Sequence, residues 1–187
     1  MNIILFGPPG AGKGTQAKYI VKKLNCFQIS TGDILRDEIQ KDTEIGKLII
    51  NDMNDGKFVS DNIVNRLIEK IVSNPQKKGK FIFDGYPRSL SQARNLDLLL
   101  DETNQKVDLI FFLNVNKNTI IKRIEKRKIL EKRSDDDANT ILKRYDTYME
   151  TTKPVLDYYA KKPNFYEIDG TLKIEEITAK IDAFLNV

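Results

Sequence analysis

The stretch GPPGAGKGTQ, residues 7–16, follows the apolar run NIILF and constrains this chain more than any other feature. A strand that runs into a glycine-rich loop and then into a helix, here KGTQAKYIVKKL, is the context that a phosphate loop requires. The glycines let backbone N–H groups point at phosphate oxygens, the helix N-terminus adds its positive end, and Lys13 reaches the terminal phosphates. The stretch therefore predicts nucleotide phosphate binding; the alternative is a purely structural glycine-rich turn.

The residue after Lys13 departs from the common pattern G-x-x-x-x-G-K-[ST], because Gly14 stands there and Thr15 follows it. Gly14 has no side chain that could ligate magnesium. The metal must then be held by phosphates and water, with outer help from a carboxylate. Asp84, at the end of the β-rich run KFIFD, is placed to provide this help, although an aspartate before glycine is also common in simple turns.

Short β-rich runs alternate with segments of helical apolar spacing along the whole chain. The β-rich runs are NIILF, CFQIS, KFIFD, DLIFFLNV and NFYEI, and the clearest later helices are DNIVNRLIEKIV and TLKIEEITAKIDAFL. This alternation predicts an α/β fold with a mostly parallel sheet covered on both faces, and ligands at the carboxyl ends of the strands. A length of 187 residues favours one globular domain.

Two segments interrupt the alternation. About fifty residues separate CFQIS from KFIFD, which is too many for one crossover helix and predicts an additional helical flap. The segment from Arg123 to Arg144 is densely charged and poor in core residues, which predicts a mobile excursion rather than packed structure.

Composition excludes several classes of function. The chain has no histidine and one cysteine, Cys26, so Ser-His-Asp catalysis, histidine metal sites and Cys-x-x-Cys zinc sites cannot be built from it. A net charge of +4 with mixed signs is weak evidence for nucleic acid. The longest apolar run, LIFFL at 109–113, is far too short for a membrane span, and no secretion signal precedes it, so we expect a cytoplasmic protein.

Arginines form the second chemical signal. Arg36 and Arg88 both follow carboxyl ends of predicted strands, where the ligand crevice should lie, and four more arginines lie in or beside the charged segment: Arg123, Arg127, Arg133 and Arg144. Phosphoryl transfer needs several fixed guanidinium groups, because charge spreads over the transferring oxygens. An acceptor that is itself a phosphate is already largely ionised near neutral pH, so no general base such as histidine is required.

At this point the sequence closely resembles the adenylate kinase family, in motifs that cover nearly the whole chain in the family's order. The matching motifs are GPPGAGKGTQ, STGDILR, GKFVSD, FDGYPRSLSQA, the RSDD before the helix of Arg144, and the terminal IDGT. The resemblance implies reversible phosphoryl transfer from ATP to AMP, giving two ADP and maintaining the adenine nucleotide balance. It also implies a P-loop NTPase-like core with a five-stranded parallel sheet (residues 1–29, 60–122 and 137–187), a helical AMP-binding flap (30–59) and a short lid (123–136).

The resemblance also implies a role for each matching residue. ATP would be bound by Gly10, Ala11, Gly12, Lys13, Gly14, Thr15, Arg123, Arg127 and Gly170. AMP would be bound by Thr31, Arg36, Lys57, Val59, Gly85, Arg88, Gln92, Arg133 and Arg144, with Gln92 on the adenine edge. The transferring group would be surrounded by Lys13, Arg88, Arg127, Arg133 and Arg144. Asp84 would orient Mg²⁺ through water, and Asp135 and Asp136 would hold the closed lid.

The lid differs from the family's two usual forms. Only a few residues separate Arg127 from Arg133, so the chain resembles the short-lid type, and no zinc is expected. The usual short lid is rich in glycine and serine, whereas this one reads KILEK. Because those residues are good helix formers, we expect a helical lid tip, and backbone contacts from it to ATP do not carry over.

Three alternatives stay open at the level of sequence. A UMP/CMP kinase would share the fold, but it usually has alanine where Thr31 stands and asparagine-rich sequence where this chain has SLSQA. A nucleotide-dependent switch would keep the phosphate loop without needing two arginine-bearing sites. A nucleic-acid-binding protein would need aromatic platforms on a recognisable module, which the sequence lacks. No exposed apolar stripe argues for assembly, so we expect a monomer that binds ATP, AMP and ADP.

Overall fold

The computed structural model describes the backbone of residues 1–74, 79–131 and 138–185, and the side chains of all of these except 127–131, 138, 139 and 141. In this part of the chain, five parallel strands form one sheet in the order β2-β3-β1-β4-β5. The strands are β1 (Ile3–Phe6), β2 (Phe27–Ser30), β3 (Phe81–Asp84), β4 (Leu109–Asn114) and β5 (Phe165–Asp169). The helices are α1 (Lys13–Leu24), α2 (Thr31–Gln40), α3 (Glu44–Asn54), α4 (Asp61–Val72), α5 (Leu90–Asp101), α6 (Lys117–Glu131), α7 (Ala138–Thr151), α8 (Lys153–Tyr159) and α9 (Ile174–Asp182).

The central strand β1 is buried on both faces of the sheet. Ile3 and Leu5 pack into one apolar cluster with residues of α1, α6 and α9, whereas Ile4 and Phe6 pack into a second with residues of α4, α5 and α8. Successive side chains of a strand point to opposite faces, so a continuous apolar run suits a strand covered by helices on both sides. The predicted three-layer α/β fold is confirmed, and β1 ends at the phosphate loop.

The long connection between β2 and β3 forms the three helices α2, α3 and α4, which agrees with the additional helical structure expected there. Ser30 caps α2 by accepting a hydrogen bond from the Asp33 N–H, and Thr43 caps α3 in the same way through the Gly46 N–H. A Cβ on Gly46 would lie 2.2 Å from the Glu38 carbonyl oxygen, so only glycine lets α2 and α3 approach this closely.

The charged segment after β4 is helical where the structure describes it. Helix α6 continues through Arg123 and Arg127 to Glu131, and Ile124 packs in the core, so the expectation of an unpacked excursion is wrong at Ile124. Ile120 and Ile124, four residues apart, bury one side of the helix in the core, and the following Lys, Arg and Glu residues favour helix. The expected helical lid tip is confirmed as far as Glu131. None of the helices within the described ranges combines the length and apolar character needed to cross a bilayer.

Candidate active site

A cleft opens at the carboxyl edge of the sheet, where the loops that follow β1 and β3 meet helix α7. Its walls include the phosphate-loop residues Gly7 and Lys13, the β3 loop from Gly85 to Arg88, and Arg144 on α7. The cleft has a volume of about 50 Å³, which is room for a few waters at roughly 15 Å³ each. The edge of the sheet thus presents an ammonium and two guanidinium groups to one small polar space.

The phosphate loop has the backbone that its glycines predict. Gly10 and Gly12 adopt φ of +81° and +96°, a region that side-chain-bearing residues rarely occupy, and Gly12 caps α1 with its carbonyl. The Lys13 ammonium folds back over the loop and donates hydrogen bonds to the carbonyl oxygens of Gly7 (2.7 Å) and Pro8 (3.1 Å). The loop therefore holds the Lys13 ammonium near the N-terminus of α1, where the first backbone N–H groups of the helix also lie.

Asp84 lies beside the phosphate loop, as the sequence predicts. A Cβ on Gly14 would lie 3.8 Å from Asp84 Oδ2, and the same oxygen accepts a hydrogen bond of 3.1 Å from Gln28 Nε2. No group of three or more Asp, Glu, Cys or His side chains that could hold a metal occurs in the described residues. A single carboxylate beside a phosphate loop fits Mg²⁺, which usually keeps several waters and is bound through one or two carboxylates plus phosphates.

Arg123 and Gly170 lie on the other side of the loop. The Arg123 guanidinium donates to the Ala11 carbonyl at 3.3 Å. The pKa of Asp169 is lowered by hydrogen bonds from the side chain and backbone of Thr171, with a smaller contribution from the charge of Arg123. A Cβ on Gly170 would lie 2.5 Å from Val115 Cγ2, so the turn after β5 needs glycine to pass the end of β4. These contacts bring Arg123, Ala11 and the Asp169–Gly170 turn to one edge of the site.

Arg88 is anchored on both sides of the β3 loop. Its Nε donates to the Gly85 carbonyl at 2.7 Å, and its guanidinium carbon lies 4.7 Å from the centre of the Phe58 ring. The Thr152 hydroxyl donates to the Arg88 carbonyl at 3.3 Å. Gly85 has φ of +80°, and a Cβ there would lie 2.8 Å from both Arg88 Nη2 and Thr31 Oγ1. A glycine is thus required for the guanidinium to lie along this loop.

The three arginines nearest the cleft are close enough to repel one another. The pKa of Arg88 is lowered to about 10, first by desolvation of the guanidinium and then by the positive charge of Arg144, with a further contribution from Arg36; Asp84 and Tyr148 oppose this. A cluster of cations held in a partly buried cleft is unfavourable by itself and is relieved by a bound anion. The arrangement is therefore chemically suited to a phosphate.

The other residues expected around AMP are divided between this loop and the α2–α4 segment. Thr31 is buried and donates to the Gly85 carbonyl at 2.8 Å, and Arg36 pairs with Asp33 at 2.5 Å on α2. Val59 is buried in the core. Lys57 is exposed and pairs with Asp55 at 3.0 Å. Thr31 and Arg36 therefore lie near the cleft, while Lys57 points into solvent in this conformation.

Gln92 lies beside the cleft, but its amide is engaged within the protein. Its Oε1 accepts from the Arg88 N–H at 2.7 Å, and its Nε2 donates to Asp61 Oδ1 at 2.8 Å. Ser89, which caps α5, donates to the other oxygen of Asp61 at 2.6 Å. A contact between Gln92 and an adenine edge would need one of these hydrogen bonds to open.

Several expected site residues lie outside the described residues. These are Arg133, Asp135 and Asp136, together with the side chain of Arg127.

The structure adds three residues that the sequence reasoning missed. Phe58 stacks on Arg88, and Tyr148 and Thr152 follow Arg144 on the same side of α7 and its end, all lining the cleft. The spacing of four residues from Arg144 to Tyr148 and from Tyr148 to Thr152 is the repeat that places side chains on one helix face, so it could have indicated them. Phe58 lies within the motif GKFVSD, and nothing else in the sequence indicated that it lines the cleft.

A family model described as adenylate kinase matches residues 5–164, which is most of the chain. The chain belongs to the adenylate kinase family. It is 48% identical to an adenylate kinase of Pelagibacter ubique, with all of both chains covered, and 43% identical to one of Hyphomonas neptunium, covering 99% of this chain and 98% of that one. It is also 38% identical to an adenylate kinase of Archaeoglobus fulgidus over 99% and 98% of the two chains.

Membership of the adenylate kinase family confirms the predicted activity. The chain is a phosphotransferase that converts ATP and AMP reversibly into two ADP. The alignment with the Pelagibacter adenylate kinase spans 213 positions, at least 26 more than the 187 residues of this chain, whereas that with the Hyphomonas adenylate kinase spans 185. This chain therefore lacks residues that one adenylate kinase relative has and matches another nearly position for position.

Proposed function

We propose that the cleft binds ATP and AMP with their phosphate ends facing each other, ATP on the phosphate loop and AMP on the loop after β3. The observation that carries this proposal is that Lys13, Arg88 and Arg144 line the same small cleft at the carboxyl edge of the sheet. A phosphoryl group that passes between two phosphates needs positive charge on both sides of its path.

On the ATP side, the residues of the phosphate loop from Gly10 to Thr15 bind the triphosphate through backbone N–H groups, the Lys13 ammonium and the Thr15 hydroxyl. The geometry of the loop and the position of Lys13 over its own carbonyls support this role. Arg123 lies against the adenine ring and Gly170 leaves room for it, because both are near the Ala11 end of the loop. Arg127 contacts the phosphates from the next turn of α6.

On the AMP side, Arg88, Arg36 and Arg144 hold the phosphate. The lowered pKa of Arg88 supports this, because desolvation and then the charges of Arg144 and Arg36 destabilise the guanidinium cation, which a bound anion would stabilise. Thr31, Lys57, Val59, Gly85 and Gln92 line the nucleoside part of the site. Lys57 and Gln92 change partners when AMP binds, since Asp55 and Asp61 hold them in this conformation.

Catalysis then consists of positioning and charge stabilisation. Lys13, Arg88, Arg127, Arg133 and Arg144 surround the oxygens of the transferring group, where negative charge is spread in the transition state. The acceptor phosphate of AMP is ionised near neutral pH, so no side chain has to remove a proton from it. This explains how a chain without histidine catalyses the reaction.

Magnesium is bound together with ATP, and Asp84 orients its water ligands. When bound, the ion neutralises phosphate charge. The residues of this chain supply the outer contacts: Asp84 faces the loop at Gly14, and Gln28 holds its carboxylate in place. Because Gly14 has no side chain, the space between the phosphate loop and Asp84 would be open to the hydrated ion when it binds.

Residues 30–59 form the AMP-binding flap and residues 123–136 the lid of a single kinase domain. Lid closure is an established property of adenylate kinases as a family, and it excludes water, which would otherwise accept the phosphoryl group. Asp135 and Asp136 hold the closed lid. The few residues between Arg127 and Arg133 support a short lid, and no zinc is proposed for it. The protein acts as a cytoplasmic monomer in nucleotide biosynthesis and keeps the adenine nucleotides in balance.

Turnover of purified protein with Mg²⁺ and ATP tests the acceptor. AMP, UMP and CMP are supplied separately and ADP formation is followed. We expect strong activity with AMP alone, because Thr31 and the SLSQA segment match the AMP-binding family pattern. Comparable turnover with UMP would move the assignment to a pyrimidine monophosphate kinase, and binding of ATP without turnover of any acceptor would point to a regulatory module.

A further inference from the structure

The hydroxyl of Tyr148 is buried without a hydrogen-bond partner. The side chain is 6% exposed, and Oη finds no donor or acceptor among the residues that the structure describes. Most buried polar atoms in proteins are hydrogen-bonded, and leaving one unpaired costs about 1–3 kcal/mol. By contrast, the buried hydroxyls of Tyr86 and Tyr159 are paired with Asn65 and Asp97. The unpaired phenol therefore calls for a partner that another state of the protein supplies.

The position of Tyr148 points to that partner. It lies one helical turn after Arg144, and Thr152, one turn later, donates to the Arg88 carbonyl. Tyr148 lines the cleft together with Lys13, Arg88 and Arg144, and it also lines a second cavity of about 310 Å³. The phenol and the Arg88 guanidinium interact electrostatically but do not form a hydrogen bond here.

The Arg88 guanidinium has N–H donors that make no hydrogen bond to the described residues. In the described part of the chain, the Gly85 carbonyl accepts a hydrogen bond from Nε, and the N–H groups on Nη1 and Nη2 have no acceptor. Burial raises the pKa of Tyr148, so the phenol stays protonated and neutral, while its oxygen retains lone pairs that can accept. The Arg88 guanidinium thus has N–H donors without an acceptor, and the nearby Tyr148 oxygen is an acceptor without a donor, among the described residues.

We propose that Tyr148 is a positioning residue for the acceptor phosphate, acting through Arg88. When AMP binds, the guanidinium turns its Nη groups toward the phosphate, and the Tyr148 oxygen accepts one remaining N–H from the helix side. This hydrogen bond holds the plane of the guanidinium in the orientation that a two-point contact with a phosphate requires. The inference rests on the proposed role of Arg88 in AMP binding.

The test removes only the oxygen, by Tyr148→Phe, and compares KM for AMP, KM for ATP, kcat and the ligand-free Tm. We expect KM for AMP to rise about tenfold, the loss of one charge-assisted hydrogen bond, while KM for ATP stays within about twofold. The ligand-free Tm should not fall, because the hydroxyl is unpaired without AMP. An unchanged KM for AMP, or equal increases for both nucleotides together with a lower Tm, would overturn the proposal.

Tyr158→Phe is the matched control, because the Tyr158 hydroxyl is paired with Asp97 at 2.9 Å outside the cleft. It should lower Tm and leave both KM values unchanged. Arg88→Lys separates the two proposals. If this variant raises KM for AMP and Tyr148→Phe does not, the role of Tyr148 fails and AMP binding by Arg88 stands. If Arg88→Lys leaves KM for AMP unchanged, the proposed binding of the AMP phosphate by Arg88 is itself wrong.

A double variant completes the test. In the Arg88→Lys background, Tyr148→Phe should add less than about twofold to KM for AMP, because the phenol then has no guanidinium to orient. A full tenfold increase in that background would show that Tyr148 acts independently of Arg88 and would overturn the proposed mechanism.

Discussion

Asp84 Oδ2 lies 3.8 Å from the position that a Cβ of Gly14 would occupy, so the carboxylate at the end of β3 faces the residue directly after Lys13, which has no side chain. In the common pattern, a serine or threonine hydroxyl stands at this position and ligates magnesium. Here the carboxylate and the empty position are complementary. Glycine in place of the usual hydroxyl residue thus occurs together with a carboxylate that faces the same position.

Asp84→Asn should raise the Mg²⁺ concentration needed for half-maximal activity and lower kcat by about 100-fold, because the amide keeps the shape but loses the charge that orients metal-bound water. The measurement is the rate as a function of Mg²⁺ at saturating ATP and AMP. Asp97→Asn is the control, since Asp97 pairs with Lys162 away from the cleft and should affect Tm alone. An Mg²⁺ dependence identical to that of the wild type would contradict the role of Asp84.

Lys13→Met should reduce turnover by at least about 100-fold while the protein remains folded, because the ammonium that stabilises the transferring group is lost. A modest decrease in Tm is expected, since the carbonyls of Gly7 and Pro8 lose their donor. Lys18→Met provides the comparison, because Lys18 is exposed on the same helix and should leave turnover unchanged. Steady-state kinetics and thermal unfolding distinguish the two; full activity in Lys13→Met would refute the assignment.

Gly85→Ala should impair both stability and activity. Its φ of +80° is strained for alanine by about 1–2 kcal/mol, and the new Cβ would come within 2.8 Å of Arg88 Nη2 and Thr31 Oγ1. Gly79→Ala is matched for backbone strain, with φ of +90°, but no atom lies within 4 Å of its Cβ. Both variants should lose free energy of unfolding, measured in urea, and Gly85→Ala should lose more, because its Cβ also displaces Arg88 or Thr31. A rise in KM for AMP is expected for Gly85→Ala alone, and equal kinetics in the two variants would contradict this.

Stability should fall as pH rises above 10. Burial raises the pKa of Tyr86 to about 12 and also raises the pKa of Tyr159 well above its usual value near 10. Above pH 10 the unfolded chain loses these protons while the folded protein keeps them, so the free energy of unfolding decreases by about 1.4 kcal/mol per pH unit for each group. The lowered pKa of Arg88 has the opposite effect. Above pH 10 the folded protein loses this proton while the unfolded chain keeps it, which offsets the contribution of one tyrosine to the free energy of unfolding.

Urea unfolding between pH 8 and pH 11 measures this dependence. In Tyr159→Phe the decrease above pH 10 should be shallower by the contribution of one group, even though the variant is less stable at pH 8. A slope identical to that of the wild type would show that Tyr159 ionises equally in both states.

Local sequence determined the fold class and the phosphate loop. The β-rich runs predicted all five strands to within a residue or two. For β1, β3 and β4, in the middle of the sheet, the reason is that a strand covered on both faces is a short, nearly continuous apolar run. The edge strands β2 and β5 are only partly buried and were indicated by their aromatic and β-branched residues. The helices α1 and α4 follow the predicted segments KGTQAKYIVKKL and DNIVNRLIEKIV residue for residue. The loop could be recognised because its glycines serve a backbone conformation that depends on nearest neighbours alone.

The structure of the charged segment was predicted less well. Its high density of charge is typical of unpacked segments, but its Lys, Arg and Glu residues also favour helix. Ile120 and Ile124 bury one side of α6, and this anchoring carries the helix on to Glu131. Ile120 lies just before the segment from Arg123 to Arg144 and Ile124 lies within it, so a count of core residues over that segment does not reveal the apolar face that the two share.

Tertiary structure alone decided which side chains face one another. Arg36, Arg88 and Arg144 come from α2, the loop after β3 and α7, and their mutual effect on the pKa of Arg88 depends on distances that no sequence spacing reports. The same holds for Gln92, whose amide is held by Asp61, 31 residues away. It holds most clearly for Tyr148, since only packing reveals that its hydroxyl is buried and has no hydrogen-bond partner among the described residues. Sequence specifies local backbone and chemical type, whereas the pairing of polar groups is set by the assembled fold.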